Sequence, residues 1–152
     1  MPLLKKINNN NYQIGIWKVD KSELDPFKSS KLSPNYHPKF LDFENEFRKW
    51  QINAVKLLYN ELDPHNELIS INGIPYAKNG GYISISHTKD IVAMITANYN
   101  CGIDIEKRDR NTLKIKHKFL HPKDFMLKEI KEDLVRIWCM KEVLYKIKKD
   151  SS

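Results

Sequence analysis

Most of the side chains in this chain that could do chemistry lie in two short segments. The first, residues 102–106, reads Gly-Ile-Asp-Ile-Glu, and the alternation of a strand places its two carboxylates on one face. The second, residues 138–146, reads Trp-Cys-Met-Lys-Glu-Val-Leu-Tyr-Lys, and helical spacing aligns a carboxylate with two lysines. Carboxylates and lysines in this combination could hold a hard divalent cation against a phosphate. The side chains are Asp104, Glu106, Lys141, Glu142 and Lys146.

Each segment also has a simpler interpretation. Two carboxylates on one face of a strand repel each other unless a cation or a proton lies between them, but they also occur on solvated polar faces. Glu142 and Lys146 stand in the order that favours a surface ion pair on a helix. Taken separately, both segments favour the simpler interpretation. A helix carboxylate packed over the strand would complete a metal site and shift that balance.

Composition limits the classes to which the protein could belong. A hydrophobic content of 41% and a charged content of 30% are typical of a single globular domain, here residues 1–152. No secretory signal, membrane-length apolar run or cysteine pattern is present, so we expect a cytoplasmic protein. The net charge of +7 suits an anionic ligand. Because the basic residues are dispersed, we expect no nucleic-acid partner and no membrane partner.

Apolar spacing predicts the elements that position the two segments. Alternating residues predict strands, stripes at helical spacing predict helices, and Pro, Asn and Gly mark the turns and the loop 21–39. The resulting fold class is α+β, with an antiparallel sheet and packed helices. We predict strands 12–19 and 101–106, a hairpin of 82–86 with 91–97, and helices 40–62, 113–120 and 127–149, the last with Ile130, Leu134, Ile137, Trp138, Leu144 and Ile147 facing inward.

The two segments together resemble the paired signature of the 4′-phosphopantetheinyl transferase superfamily, G-I-D-I-E followed by W-x-x-K-E-x-x-x-K. A third segment, residues 83–87, is similar to the S-x-S-H that ends a strand beside the coenzyme A site of that family. The resemblance extends from about residue 40 to residue 146. The order of elements resembles the longer, two-lobed members, because a long stretch precedes the strand that contains the aspartate.

The resemblance implies a reaction and a metal site. Such enzymes transfer the 4′-phosphopantetheine group of coenzyme A to a serine of an apo acyl- or peptidyl-carrier protein. By resemblance, Asp104, Glu106 and Glu142 bind Mg²⁺, which grips the pyrophosphate of coenzyme A. Glu142 or Glu106 helps to deprotonate the serine, and Lys146 stabilises the leaving phosphate.

The resemblance also implies contacts with coenzyme A. His87 would contact the 3′-phosphate, Ser86 of the same segment lies beside it, and Lys141 would be a second phosphate contact. The chain departs from the family at two positions that often carry a basic residue, where it has Ile74 and Val55. Arg48 is a candidate replacement on the long helix.

A third departure concerns the end of the chain. Two-lobed members continue with further strands, whereas this sequence ends at Ser152, so we expect an incomplete second lobe and a weakly active or self-associating chain. One alternative function is a non-catalytic relative that binds coenzyme A or a carrier protein. The other is a metal-dependent nuclease, which fits poorly because Glu106 is followed by Lys107 and Arg108 rather than by a lysine two residues on. The carrier protein and its pathway stay open.

Overall fold

The computed structural model describes residues 3–19, 46–121 and 131–149. The predicted loop 21–39, the first residues of the helix predicted from 40, and those of the helix predicted from 127 lie outside the described residues. Among the residues described, no helix has the length and apolarity needed to cross a membrane. The predicted α+β class with an antiparallel sheet is confirmed.

The main sheet has four antiparallel strands, β1 Leu3–Asn8, β2 Tyr12–Lys18, β5 Tyr82–His87 and β6 Ile91–Ala97, which lie in the order β1-β2-β6-β5. The strands predicted at 12–19, 82–86 and 91–97 are confirmed, but β1 was not predicted, because most of its residues are exposed and show no alternation. His87 ends β5 opposite Val92, so it lies at the end of the sheet where the β5–β6 turn begins.

A separate hairpin pairs β3, Leu68–Ile71, with β4, Ile74–Ala77. Asn72 and Gly73 form its turn with φ of 52° and 78°. Positive φ at both central residues is the type I′ geometry that matches the twist of paired strands and favours Asn-Gly.

Helix α1, Glu46–Leu62, packs against β2 and β6. Its apolar stripe forms the core with the strands, as the helical spacing predicts. The buried members of this core are Ala54, Val55, Leu58, Tyr59, Leu62, Leu68, Ile83, Val92 and Met94.

The strand predicted at 101–106 is wrong. The segment forms neither helix nor strand. It lies alongside β5 and makes two hydrogen bonds to serine side chains of that strand. The backbone N–H groups of Ile103 and Ile105 donate to the hydroxyls of Ser84 and Ser86, at 3.1 and 3.2 Å. Serine hydroxyls thus take the place of the backbone carbonyls that would accept these hydrogen bonds in a sheet. We name residues 101–106 the acidic segment.

Three helical pieces complete the described chain: a 3₁₀ turn Leu113–Ile115, α2 Lys116–Phe119 and α3 Lys131–Lys149. Their existence agrees with the predicted helices. The inward face of α3 was predicted correctly for Leu134, which is buried, but not for Leu144, which is 56% exposed. The reason is that α3 approaches the acidic segment through Val143 and Ile147, which lie on a different side of the helix from Leu144.

Candidate functional site

A glycine lets α3 lie directly on the acidic segment. A Cβ atom at Gly102 would be 2.9 Å from the carbonyl oxygen of Val143 and 3.2 Å from a side-chain carbon of Ile147. Any larger residue would therefore push the helix backbone away. This close contact brings the W-x-x-K-E-x-x-x-K face of α3 against the G-I-D-I-E residues.

The ammonium group of Lys146 joins α3 to the acidic segment and to β5. Its Nζ donates to the carbonyl of Ile103 at 2.8 Å, to Asp104 Oδ1 at 3.0 Å, and more weakly to the carbonyl of Ile85 at 3.4 Å. The simpler interpretation of the sequence was a surface ion pair between Lys146 and Glu142. Lys146 does not form that pair in the described part of the chain. Lys146 pairs with the carboxylate of Asp104 instead.

Asp104 is a buried carboxylate with one oxygen left over. Its side chain is 8% exposed, and Oδ1 accepts hydrogen bonds from Ser86 at 2.8 Å and from Lys146. Oδ2 is also buried but has no hydrogen-bond partner within the described part of the chain. Ser86 is itself buried, and its hydroxyl is used by Asp104 and by the backbone N–H of Ile105. Ser86, predicted as a cofactor contact, therefore lies where it positions Asp104.

Cys139 is a member of this cluster that the sequence did not predict. Burial, followed by the adjacent carboxylate of Asp104, raises the pKa of its thiol to about 11. Cys139 stands seven residues before Lys146, a spacing of about two helical turns that places both on one face. That spacing was the available signal, but no cysteine motif drew attention to it.

Glu142 lies on α3 between these two residues. It follows Cys139 by three positions and precedes Lys146 by four, so it shares the face that both direct at Asp104. Glu142 is partly buried, and in the described ranges it has no hydrogen bond or ion pair. Among Asp104, Glu106 and Glu142, it is the carboxylate that no described side chain occupies.

Glu106 is engaged differently. One carboxylate oxygen is ion-paired with Arg110, whose guanidinium lies 5.1 Å from the ring centre of Trp138. Within residues 3–19, 46–121 and 131–149, no three His, Cys, Asp or Glu side chains form a group that could hold a metal. The predicted convergence of Asp104, Glu106 and Glu142 on one cation therefore stays a prediction. The unpartnered oxygen of Asp104 and the free Glu142 carboxylate are the observations that fit it.

A cavity of about 550 Å³ opens beside Glu106 at the His87 end of the sheet. Its wall carries four permanently basic side chains and two acidic ones, and Glu106 is already paired with Arg110. The net charge favours an anionic ligand. The described lining residues are Arg48, Gln51, His87, Thr88, Lys89, Glu106, Lys107, Asp109 and Arg110.

His87 is held by α1 at the mouth of this cavity. Arg48 contacts its Nε2 atom at 3.1 Å, and the Gln51 amide nitrogen lies 3.3 Å from Nδ1. Desolvation of the ring lowers the pKa of His87, and the charges of Arg48 and Lys146 lower it further. The imidazole is therefore neutral at pH 7. Arg48, His87 and Glu106, which were predicted separately, line one cavity.

Lys141 and Val55 are placed away from this cavity. The Lys141 ammonium donates to the carbonyl of Phe119, and so connects α3 to α2, and this lysine is not among the described lining residues. Val55 is only 4% exposed and belongs to the core, so a basic side chain at this position would be buried there rather than face the cavity. Arg48 supplies the positive charge from the same helix.

The comparisons with known proteins give no further guide. No family model matches the sequence, and no curated protein matches it. The site must therefore be interpreted from its own geometry.

Proposed function

We propose that this protein transfers the 4′-phosphopantetheine group of coenzyme A to a serine of an apo acyl- or peptidyl-carrier protein. The observation that carries the proposal is the contact of the two resembling segments. Lys146 and Cys139 of α3 face Asp104 of the acidic segment, and Glu106 of that segment lines a cationic cavity. A buried carboxylate paired with a lysine, and a glutamate of the same segment at the wall of a cationic cavity, support the proposal, because a reaction between a hydroxyl and a pyrophosphate needs positioned groups and positive charge near the phosphates.

The reaction exchanges one phosphorus–oxygen bond for another. The serine oxygen bonds to the phosphorus that bears the pantetheine arm, and the bond from that phosphorus to 3′,5′-ADP breaks. The serine proton passes to a carboxylate, for which Glu142 is better suited than Glu106, because Glu106 is occupied by Arg110. The leaving group departs with its negative charge among the cations of the cavity. Lys146 stabilises the buried carboxylate of Asp104 and lies on the same helix face as Glu142.

A magnesium ion is the cofactor that suits these residues. Asp104, through its unpartnered oxygen, and Glu142 are the first candidates to hold it. Glu106 would have to release Arg110 and move to join them, because the described carboxylates do not form a metal-binding group as they stand. When bound, the ion would neutralise the pyrophosphate of coenzyme A. All three side chains are hard oxygen donors, as Mg²⁺ prefers.

One observation favours the non-catalytic alternative. The Lys146 ammonium already has three oxygen acceptors within the protein, so it would have to exchange one of them to contact a departing phosphate. If transfer requires Lys146 at the departing phosphate, as the resemblance implies, a protein in which Lys146 keeps its three acceptors would bind coenzyme A without transferring its phosphopantetheine group.

The test is an incubation with coenzyme A, Mg²⁺ and an apo carrier protein, followed by intact-mass measurement of the carrier. We expect the carrier to gain one phosphopantetheine group, and a carrier whose serine is replaced by alanine to gain none. The variant Glu142→Gln should lose the transfer and keep the fold, whereas Gln13→Met on β2 should keep both. Binding of coenzyme A with no mass gain on several carriers would establish the non-catalytic alternative instead.

A further inference from the structure

A buried glutamine on α1 connects three parts of the cationic cavity. Gln51 is 5% exposed, and its Oε1 accepts a hydrogen bond from Arg48 at 3.0 Å. Its Nε2 donates to the carbonyl of Thr88 at 3.0 Å and lies 3.3 Å from Nδ1 of His87. A flipped amide would set NH₂ against the guanidinium and oxygen against the carbonyl, so these partners fix its orientation.

The Arg48 contact indicates the tautomer of His87. A guanidinium can only donate, so the Nε2 atom that faces Arg48 is the unprotonated nitrogen, and the ring proton lies on Nδ1. The Gln51 amide nitrogen is itself a donor, so it lies near Nδ1 without donating to it. One terminal nitrogen of Arg48, Nη1, thus donates both to the Gln51 oxygen and to His87 Nε2. The other guanidinium nitrogens of Arg48 have no partner among the described residues.

We infer that Gln51 is a positioning residue, which together with neutral His87 holds the guanidinium of Arg48 ready to bind a phosphate group in the cavity. In this arrangement His87 acts through Arg48, because its Nε2 lone pair is already used. Coenzyme A as the source of that phosphate rests on the proposed function, whereas the holding of Arg48 does not.

The physical reason is preorganisation. A free arginine side chain loses much rotamer freedom when it binds an anion, and a side chain that is already held loses less. A planar guanidinium also binds phosphate with two parallel hydrogen bonds, which requires a defined plane. Gln51 supplies that plane by fixing one end of the group.

The first experiment measures the binding of inorganic pyrophosphate by calorimetry in metal-free buffer. Gln51→Met keeps the length of the side chain and removes its hydrogen bonds, and we expect it to weaken binding about tenfold, the equivalent of one lost charge-assisted hydrogen bond. Gln13→Met is the matched control at the opposite end of the sheet, and it should bind as the wild type does. Nitrogen NMR of His87 should show a bare Nε2 in the wild type, as the contact with Arg48 requires.

A second variant keeps the inference testable if Gln51→Met does not fold. Arg48→Lys keeps the charge, but an ammonium cannot span Gln51 and His87 and still present two parallel donors, so it should also weaken pyrophosphate binding about tenfold. Wild-type affinity in either folded variant, a protonated Nε2 on His87 in the wild type, or failure of the wild type to bind pyrophosphate would overturn the inference. If these results are as expected but no carrier is modified, the proposed function fails while the role of Gln51 stands.

Discussion

The molecule contains two helix contacts that both depend on a glycine, and they differ in what lies opposite. On the β2 side, a Cβ atom at Gly15 would be 2.5 Å from a terminal methyl group of Leu58 on α1. On the acidic segment, a Cβ atom at Gly102 would be 2.9 Å from the backbone oxygen of Val143 on α3. One contact meets the end of a side chain, and the other meets the helix itself.

The two contacts also differ in the polarity of the side chains around them. Around Leu58 the packing is apolar and largely non-directional, so the side chains there can change rotamer to accommodate a new group. Around Gly102 the contact is completed by an ion pair, by serine hydroxyls and by an unpartnered carboxylate oxygen. Polar contacts of this kind depend on the positions of a few atoms. We call α1 with the main sheet the apolar half, and the acidic segment with α3 the polar half. The apolar half is held by packing that can adjust, whereas the polar half holds buried polar groups at a cost in stability.

The largest difference between the halves should appear when one ion-pair partner is removed. Lys146→Met leaves the carboxylate of Asp104 buried without its counter-ion, and we expect it to lower the free energy of unfolding by about 3 kcal/mol. In the apolar half, Lys6 and Glu61 form a more exposed pair at 3.4 Å, so Glu61→Gln should cost less than about 1 kcal/mol. Urea unfolding monitored by tryptophan fluorescence measures both.

A double variant separates the lost pair from the lost packing of the lysine chain. Asp104→Asn in the Lys146→Met background removes the uncompensated charge and should recover part of the stability. If Lys146→Met and Glu61→Gln cost the same, the two halves are held by equivalent interactions and the comparison fails.

The second prediction exchanges the two glycines for alanine. Gly102→Ala must displace the backbone of α3, so we expect a loss of about 2 kcal/mol in stability and a more than tenfold loss of the proposed carrier modification. Gly15→Ala must displace only the ends of the Leu58 and Leu62 side chains, so it should cost about 1 kcal/mol and leave the rate of the proposed modification unchanged. Unfolding curves and intact-mass time courses give the two readouts. Equal losses of activity would show that the site does not depend on the approach of α3.

The sequence predicted the apolar half better than the polar one. Strand alternation and the helical stripe are repeated signals, so β2, β5, β6 and the later part of α1 were found from spacing alone. The exposed edge strand β1 carries no such repeat, and the acidic segment alternates like a strand although serine side chains replace the ladder. Periodicity reports which face is buried, but it does not report which group supplies a hydrogen bond.

The sequence predicted which residues belong to the site where they are part of a motif. It predicted less well which of them contact one another, because the folded geometry decides that. Asp104 and Lys146 were identified together, one as a metal ligand and the other as a phosphate contact, but their ion pair with each other was not predicted. Cys139 and Gln51 were missed, since neither belongs to a motif and each is significant only because of what it faces across the fold.

The smallest expected effect concerns the reactivity of Cys139, which reports on the polar half without disturbing it. With a pKa of about 11, about one thiol in a thousand is ionised at pH 8, so alkylation by iodoacetamide should be much slower than for free cysteine and should rise with pH toward 11. Asp104→Asn removes the carboxylate that disfavours the thiolate, so it should lower the pKa and speed alkylation at pH 8. Both are measured by mass spectrometry in metal-free buffer and in a Cys101→Ser background, so that Cys139 is the single thiol. Reaction at the rate of free cysteine in the parent would mean that the thiol does not face Asp104, and that α3 does not hold its polar face against the acidic segment.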